Sequence, residues 1–231
     1  MNSKYFIGFA VWLFSYPFLG FSQSRYSFSV KSGLAISSQA YHNNRLQPTI
    51  RAIHNLNSGF VQFQANYKIT EWIDVAMGIQ FVEKGFVYDV KNVGVGSPTV
   101  FSTMYQYNLL YGEMPLNAIF RLRKFSLAIG AIASYLIKAN YDYKDITVTT
   151  RPNKPPSIFD TQFFGEYPFD RFRKWDCGVN VGLSYRIFKD FEIECNLQKH
   201  FIRVDKIAPQ KGYADVMYNQ SYLIGIRYYL F

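Results

Sequence analysis

An all-β fold, eight antiparallel strands closed into a transmembrane β-barrel with short turns at one end and long loops at the other, is predicted by three features of this sequence. Apolar and polar residues alternate over successive stretches of ten residues or more, the pattern of a sheet with two unlike faces. Aromatic residues are abundant, with 19 Tyr and 22 Phe in 231 residues, while mean hydropathy stays near zero. That combination suits strands with one face in lipid, the other polar, and aromatics gathered at the interfaces. Finally, the gaps between alternating stretches are in turn long and short, as in barrels with short turns on one side of a bilayer.

The N-terminus reads as an export signal. Lys4 precedes the apolar run Tyr5 to Phe14, which is too short for a spanning helix. Gly20 and Ser22 supply small residues for cleavage before Gln23, giving a signal peptide at 1–22 and a barrel domain at 23–231. Pro17 and Gly20 interrupt the run and disfavour an uncleaved anchor. Beyond it no apolar run reaches spanning length, so strand pattern decides between a soluble exported protein and a barrel.

The first strand, Arg25 to Ser38, places Tyr26, Phe28, Val30, Leu34 and Ile36 on one face and Ser27, Ser29, Lys31 and Ser37 on the other. The second, Phe60 to Thr70, alternates Val61, Phe63, Ala65 and Tyr67 with Gln62, Gln64, Asn66 and Lys68. A one-residue slip would exchange the faces, so the register is well specified. After a tight turn at Thr70-Glu71-Trp72 the third strand runs from Ile73 to about Tyr88, and Gly, Pro and Ser in 91–103 predict a loop.

The fourth strand, about Met104 to Arg123, contains Pro115, which removes a ladder donor and predicts a bulge there. Arg123-Lys124 turns into the fifth strand, Phe125 to Tyr143, whose inward face is narrow: Ser126, Ala128, Gly130, Ile132 and Ser134. Residues 144–173, with Pro152, Pro155, Pro156 and Pro168, are predicted irregular. The sixth strand, Trp175 to Phe188, and the seventh, Phe191 to about Arg203, flank a short turn at Lys189-Asp190. The eighth carries Tyr222, Ile224, Ile226, Tyr228 and Leu230 outward. Phe231 matches the terminal aromatic used as an assembly signal by such barrels, yet falls on the inward parity, which predicts a twist or a bulge near Tyr228-Tyr229. A soluble β-sandwich also alternates, but strands of more than ten residues suit a tilted span better.

Two stretches carry a family resemblance. "GIQFVEKGF", Gly78 to Phe86 with its Lys84-Gly85 pair, and "YGEMPLNAIFRL", Tyr111 to Leu122 with Glu113, Pro115 and Leu116, resemble motifs of the porin-like outer-membrane β-barrel family that includes PorT-type proteins. The resemblance extends over nearly all of the mature chain. It implies an eight-stranded barrel in the bacterial outer membrane and no single activity, since some members serve protein secretion.

The inward parity collects Lys31, Lys68, Glu113, Arg121, Arg123, Arg186, Glu192, Glu194, His200 and Arg227. An eight-stranded barrel is just wide enough for side chains to fill, and unpaired charge inside would be costly, so these residues are expected to form a salt-bridged plug. A narrow ion pathway is the alternative. The resemblance singles out Glu113, with an expected structural role near Pro115. No catalytic constellation is evident: His200 has inward parity, whereas barrel enzymes acting on lipid A place Ser and His on the outer face near the rim. His42 and His54 share the first long loop without enough further ligands for a metal, and no cofactor is expected. Cys177 and Cys195 fall on outward parity, with Cys195 facing Leu183 and Cys177 facing Phe201, too far apart to bridge.

The aromatic and charged stretch with Phe159, Phe163, Phe164, Tyr167, Phe169, Arg171 and Phe172 either folds over the rim or forms a partner-binding surface. Expected partners are outer-membrane lipid and another envelope or secretion protein. The formal net charge of +9 is scattered, with no Lys/Arg run beyond two, so no nucleic acid is expected. The chain therefore reads as a non-enzymatic structural or accessory barrel of the outer membrane, with a small channel or transport protein as the second reading.

Overall fold

The computed structural model describes residues 25–42, 50–93, 99–149, 157–166, 172–202, 204 and 216–230. The expected signal peptide and Phe231 lie outside them. Nine strands form: β1 Tyr26–His42, β2 Ile50–Lys68, β3 Ile73–Val93, β4 Thr99–Leu122, β5 Phe125–Thr149, β6 Ser157–Glu166, β7 Trp175–Phe188, β8 Phe191–His200 and β9 Val216–Tyr229. Eight of them close a ring, running from β1 through β5, on to β7, β8 and β9, and back to β1. Every pairing is antiparallel.

Closure rests on the strict two-residue period. In β8 every second residue from Glu192 to His200 is buried and the rest are exposed, and β7 alternates likewise from Trp175 to Tyr185. Leu127, Ile129, Val181, Leu183, Ile193, Leu197, Ile224 and Ile226 point outward and are exposed. No soluble core covers them, so lipid is the solvent that this face fits. Aromatic pairs bound the apolar belt. At the short-turn end Tyr26 meets Tyr67, Phe125 meets Tyr185 and Phe191 meets Tyr228, each with ring centroids 4.9 Å apart. At the other end Tyr135 meets Trp175, also at 4.9 Å. Along β5, the ten steps from Phe125 to Tyr135 at about 3.3 Å each and a tilt of about 40° span roughly 25 Å, the height of a barrel's apolar band.

Several expectations are corrected. Residues 144–173 are not irregular throughout: β5 continues to Thr149 and pairs with β6 from Asn140↔Glu166 to Thr149↔Ser157. Most of the loop expected at 91–103 is strand, because β3 runs on to Val93 and β4 already begins at Thr99. His42 and His54 lie on strands rather than in a shared loop, at the end of β1 and within β2 opposite Val87. No bulge forms at Pro115. Instead the β3–β4 ladder omits the rungs at Met114 and Pro115 and keeps its register, which accommodates the missing donor. A bulge does occur nearby, between Leu110 and Tyr111 on the β4–β5 ladder. The seam between β1 and β9 is continuous from His42↔Val216 to Ser29↔Tyr229, without the bulge expected near Tyr228-Tyr229.

Candidate functional site: a charge-paired lumen

The lumen is filled by side chains from all eight barrel strands, in two connected groups. Toward the short-turn end, Lys31 on β1 donates to Glu194 on β8 at 2.7 Å. Arg227 on β9 donates to Glu192 at 3.1 Å and also binds Glu194. Arg186 reaches Glu192 at 2.8 Å, and Arg121 donates to Asp74 at 2.5 Å. The guanidinium carbons of Arg121, Arg186 and Arg227 lie 6.0, 5.6 and 5.8 Å from the centroid of the Tyr229 ring, within cation–π range. Neutral side chains continue the network: Gln62 donates to Gln64 at 3.0 Å, Gln64 to Asn66, and Asn180 to Asn117 at 3.0 Å.

Toward the long-loop end the hub is Lys84 on β3. Its ammonium has three protons and three acceptors: Glu113 Oε1 at 2.6 Å, Gln198 Oε1 at 3.1 Å and His200 Nε2 at 2.8 Å. The other ring nitrogen of His200, Nδ1, lies 3.2 Å from Asp176 Oδ2. Glu113 also accepts from Gln80 at 2.8 Å and Ser134 at 2.8 Å. Asp176 accepts from Asn219 at 3.3 Å, and Asn219 also donates to the Tyr111 hydroxyl at 3.1 Å.

The charges balance. Lys31, Lys84, Arg121, Arg186 and Arg227 face Asp74, Glu113, Asp176, Glu192 and Glu194. Pairing is what burial demands, since an isolated ion in a low-dielectric interior costs several kcal/mol; Asp176 is the exception, facing His200 rather than a lysine or arginine. The small inward residues of β5 and β7 make the room. A Cβ on Gly182 would lie 1.9 Å from Asn196 Oδ1, so Gly182 leaves the space that the Asn196 amide fills.

An apolar cluster that includes Val82, Leu109, Leu136, Phe172, Val204 and Leu223 packs among the residues around this hub. Phe172 enters it from the segment between β6 and β7, and backbone bonds from Arg173 to Val204 and from Leu136 to Lys174 hold that segment over the rim. Of the expected partner-binding residues, Phe172 is therefore buried in the barrel mouth and unavailable to a partner. Phe159, Phe163 and Phe164 are on β6, and Tyr167, Phe169 and Arg171 lie outside the described residues.

Eight of the ten expected lumen residues join the network. Lys68 and Arg123 do not: both are exposed at the short-turn rim, because their strands end there and the side chains reach water. Lys84, Asp74 and Asp176 were not among the expected network, although each stands on the inward parity of its strand. Cys177 and Cys195 are free and exposed, with Cys195 opposite Leu183 and the Phe201 amide on the Cys177 carbonyl, as expected. Among the described residues no group of His, Cys, Asp and Glu forms a metal site.

Residues 17–199 match the model of the family described as outer membrane protein beta-barrel domain. A search of curated proteins finds no match. Among solved structures, the chain is similar to Ail, the attachment invasion locus protein of Yersinia pestis, at 13% identity and a TM-score of 0.39, covering 90% of this chain and 100% of that one. It is similar to Neisserial surface protein A at 11% identity and a TM-score of 0.44, covering 89% and 99%. It is also similar to the outer membrane protease OmpT from Escherichia coli at 10% identity and a TM-score of 0.32, covering 92% and 99%. Nothing about activity follows from likeness at this level.

Proposed function

Since the chain belongs to the outer membrane protein beta-barrel domain family, we propose that it serves there as a non-enzymatic, non-conducting barrel, acting through what projects from its long-loop end. The observation that carries this reading is the charge-balanced plug. Lys84 on β3 meets Gln198 and His200 on β8, the strand opposite it in the ring, and Lys31 on β1 reaches Glu194 on β8 past the intervening β9. Ion passage would require breaking these buried pairs and displacing the apolar cluster packed among them.

A non-enzymatic role is supported by the placement of a dyad among the described residues that resembles catalytic machinery. His200 and Asp176 are in contact, but the His200 side chain is 1% exposed and its Nε2 is committed to Lys84. A substrate has no route to it. The projecting sheet formed by the distal halves of β4 and β5 with β6 supplies a surface for an envelope or secretion partner, in line with the PorT-type resemblance of the Lys84-Gly85 and Glu113-x-Pro115-Leu116 stretches.

Planar-bilayer recording of the refolded barrel tests the reading. The expected result is absence of steady conductance, whereas stable single-channel steps would support the channel reading instead. Deletion of 157–166 should leave the barrel folded and abolish capture of its partner.

A further inference from the structure

The plug is neutral, but the mouth below it is not. At the short-turn end, which faces the periplasm in barrels of this kind, a cavity of about 560 Å³ is lined by residues that include Arg25, Lys68, Arg123 and Lys189. Arg121 and Arg186 also line it, but they are tied to Asp74 and Glu192. Among the described residues the side chains of Arg25, Lys68, Arg123 and Lys189 make no ion pair, and the only lining carboxylates in the same condition are those of Glu71 and Asp190. Among the described lining residues the mouth therefore carries an excess of two positive charges. A recessed opening with low-dielectric walls focuses such a field onto an incoming ion.

The backbone adds an independent observation. Arg123 has a φ of 56°, the single described non-glycine residue in the left-handed region. Glycine would occupy that turn position without strain, and an arginine does not. A strained residue is a pointer to function where its side chain has a use, and this guanidinium faces the cavity.

We propose that the periplasmic mouth binds a phosphate-bearing anion. A phosphate monoester carries about −1.5 to −2 at neutral pH, which matches the uncompensated charge, and guanidinium groups pair with phosphate oxygens in a fixed fork geometry. The phosphate is either the monoester of a small soluble molecule or the singly charged phosphodiester of a phospholipid headgroup in the adjacent leaflet. Trp72 also lines the cavity and reports on its occupancy.

The experiment uses the refolded mature barrel in three settings: neutral detergent, phosphatidylcholine nanodiscs, and nanodiscs containing phosphatidylglycerol. Inorganic phosphate and glycerol 3-phosphate are titrated at constant ionic strength against chloride, read by calorimetry and by Trp72 fluorescence in a Trp175→Phe background. Saturable binding is expected in the first two settings. Arg123→Gly combined with Lys68→Gln should weaken it at least tenfold, while the barrel remains heat-modifiable on a gel. Should the Gly variant not fold, Lys68→Gln with Lys189→Gln, both at exposed positions, carries the same expectation. If phosphatidylglycerol suppresses the soluble ligand, the headgroup is the occupant; if it has no effect, a soluble phosphate ester is. Absence of saturable binding in detergent and in phosphatidylcholine, or equal binding by the charge-depleted variants, overturns the proposal.

Discussion

Lys84 Nζ lies 2.6 Å from Glu113 Oε1, although the ladder sets Lys84 opposite Leu109 and Glu113 opposite Gln80. The lysine stem therefore leans down the lumen by two inward positions to reach its partner, covering apolar side chains on the way. Both residues are sealed from water. Removing one member of a buried pair leaves the other uncompensated, at about 3–5 kcal/mol, whereas replacing both with apolar groups is close to neutral. Lys84→Met and Glu113→Leu should each destabilise the barrel by roughly that amount, and the double variant should be less destabilised than the sum of the two, though Gln80, Ser134, Gln198 and His200 then lose a partner. Denaturant unfolding in detergent, treated as a double-mutant cycle, measures the coupling; simple additivity would refute it.

Gly85 explains the second half of the Lys-Gly pair. A Cβ there would lie 1.8 Å from the Tyr107 carbonyl oxygen and 3.0 Å from Leu56 Cδ2, and the Gly85 amide donates to Ser37 Oγ at 2.9 Å. Backbone cannot yield by that distance without separating β3 from β4. Gly85→Ala should cost more than about 3 kcal/mol, the range of severe overpacking. Ser37→Ala, which removes the buried hydrogen bonds of the hydroxyl with the Gly85 amide and carbonyl and the Leu56 carbonyl, should cost about 1–3 kcal/mol. Cold-gel mobility and urea midpoints of the two variants check the order.

Where lipid and lumen lie on opposite faces, the sequence is explicit. The expected sixth strand has the observed limits of β7, and parity sorted Glu192, Glu194 and His200 inward without error. β6 was illegible for a physical reason. Its partner stretch, Asn140 to Thr149, lies beyond the outer girdle, where both faces meet water and no hydrophobic period is imposed. The network was half legible for a related reason. Parity says which residues enter the lumen but not which ones meet there. Lys84 finds Gln198 and His200 more than a hundred residues away, a pairing set by barrel closure. Lys68 and Arg123 mark the other failure, since parity ignores depth and both sit past the last buried level.

The free thiols give a test of which face meets lipid. Cys177 and Cys195 are outward and exposed on adjacent strands, with no sulfur partner. In nanodiscs a lipid-soluble maleimide should label both, and a charged, membrane-impermeant reagent should label neither until the barrel is unfolded. Mass spectrometry counts the adducts. Labelling of the folded barrel by the impermeant reagent would place these strands in water.

The tryptophans among the described residues, Trp72 and Trp175, measure the height of the apolar belt. Trp175 packs edge-on to Tyr135 at the outer girdle. Trp72 is in the turn before β3, its carbonyl accepting from the Arg121 amide at 2.8 Å, beside the inner girdle. If the belt spans about 25 Å, both rings sit at headgroup depth on opposite sides, where amphipathic rings are favoured. Phospholipids brominated high on the acyl chain should therefore quench each more strongly than those brominated near the chain end. Trp175→Phe isolates Trp72, and Trp72→Phe isolates Trp175, so the two depths are read separately. Equal or stronger quenching by the deep bromines for either residue would shift the barrel along the membrane normal. For Trp72 it would also move the basic mouth, with Arg123 at its edge, into the hydrocarbon, where uncompensated guanidinium is too costly to persist.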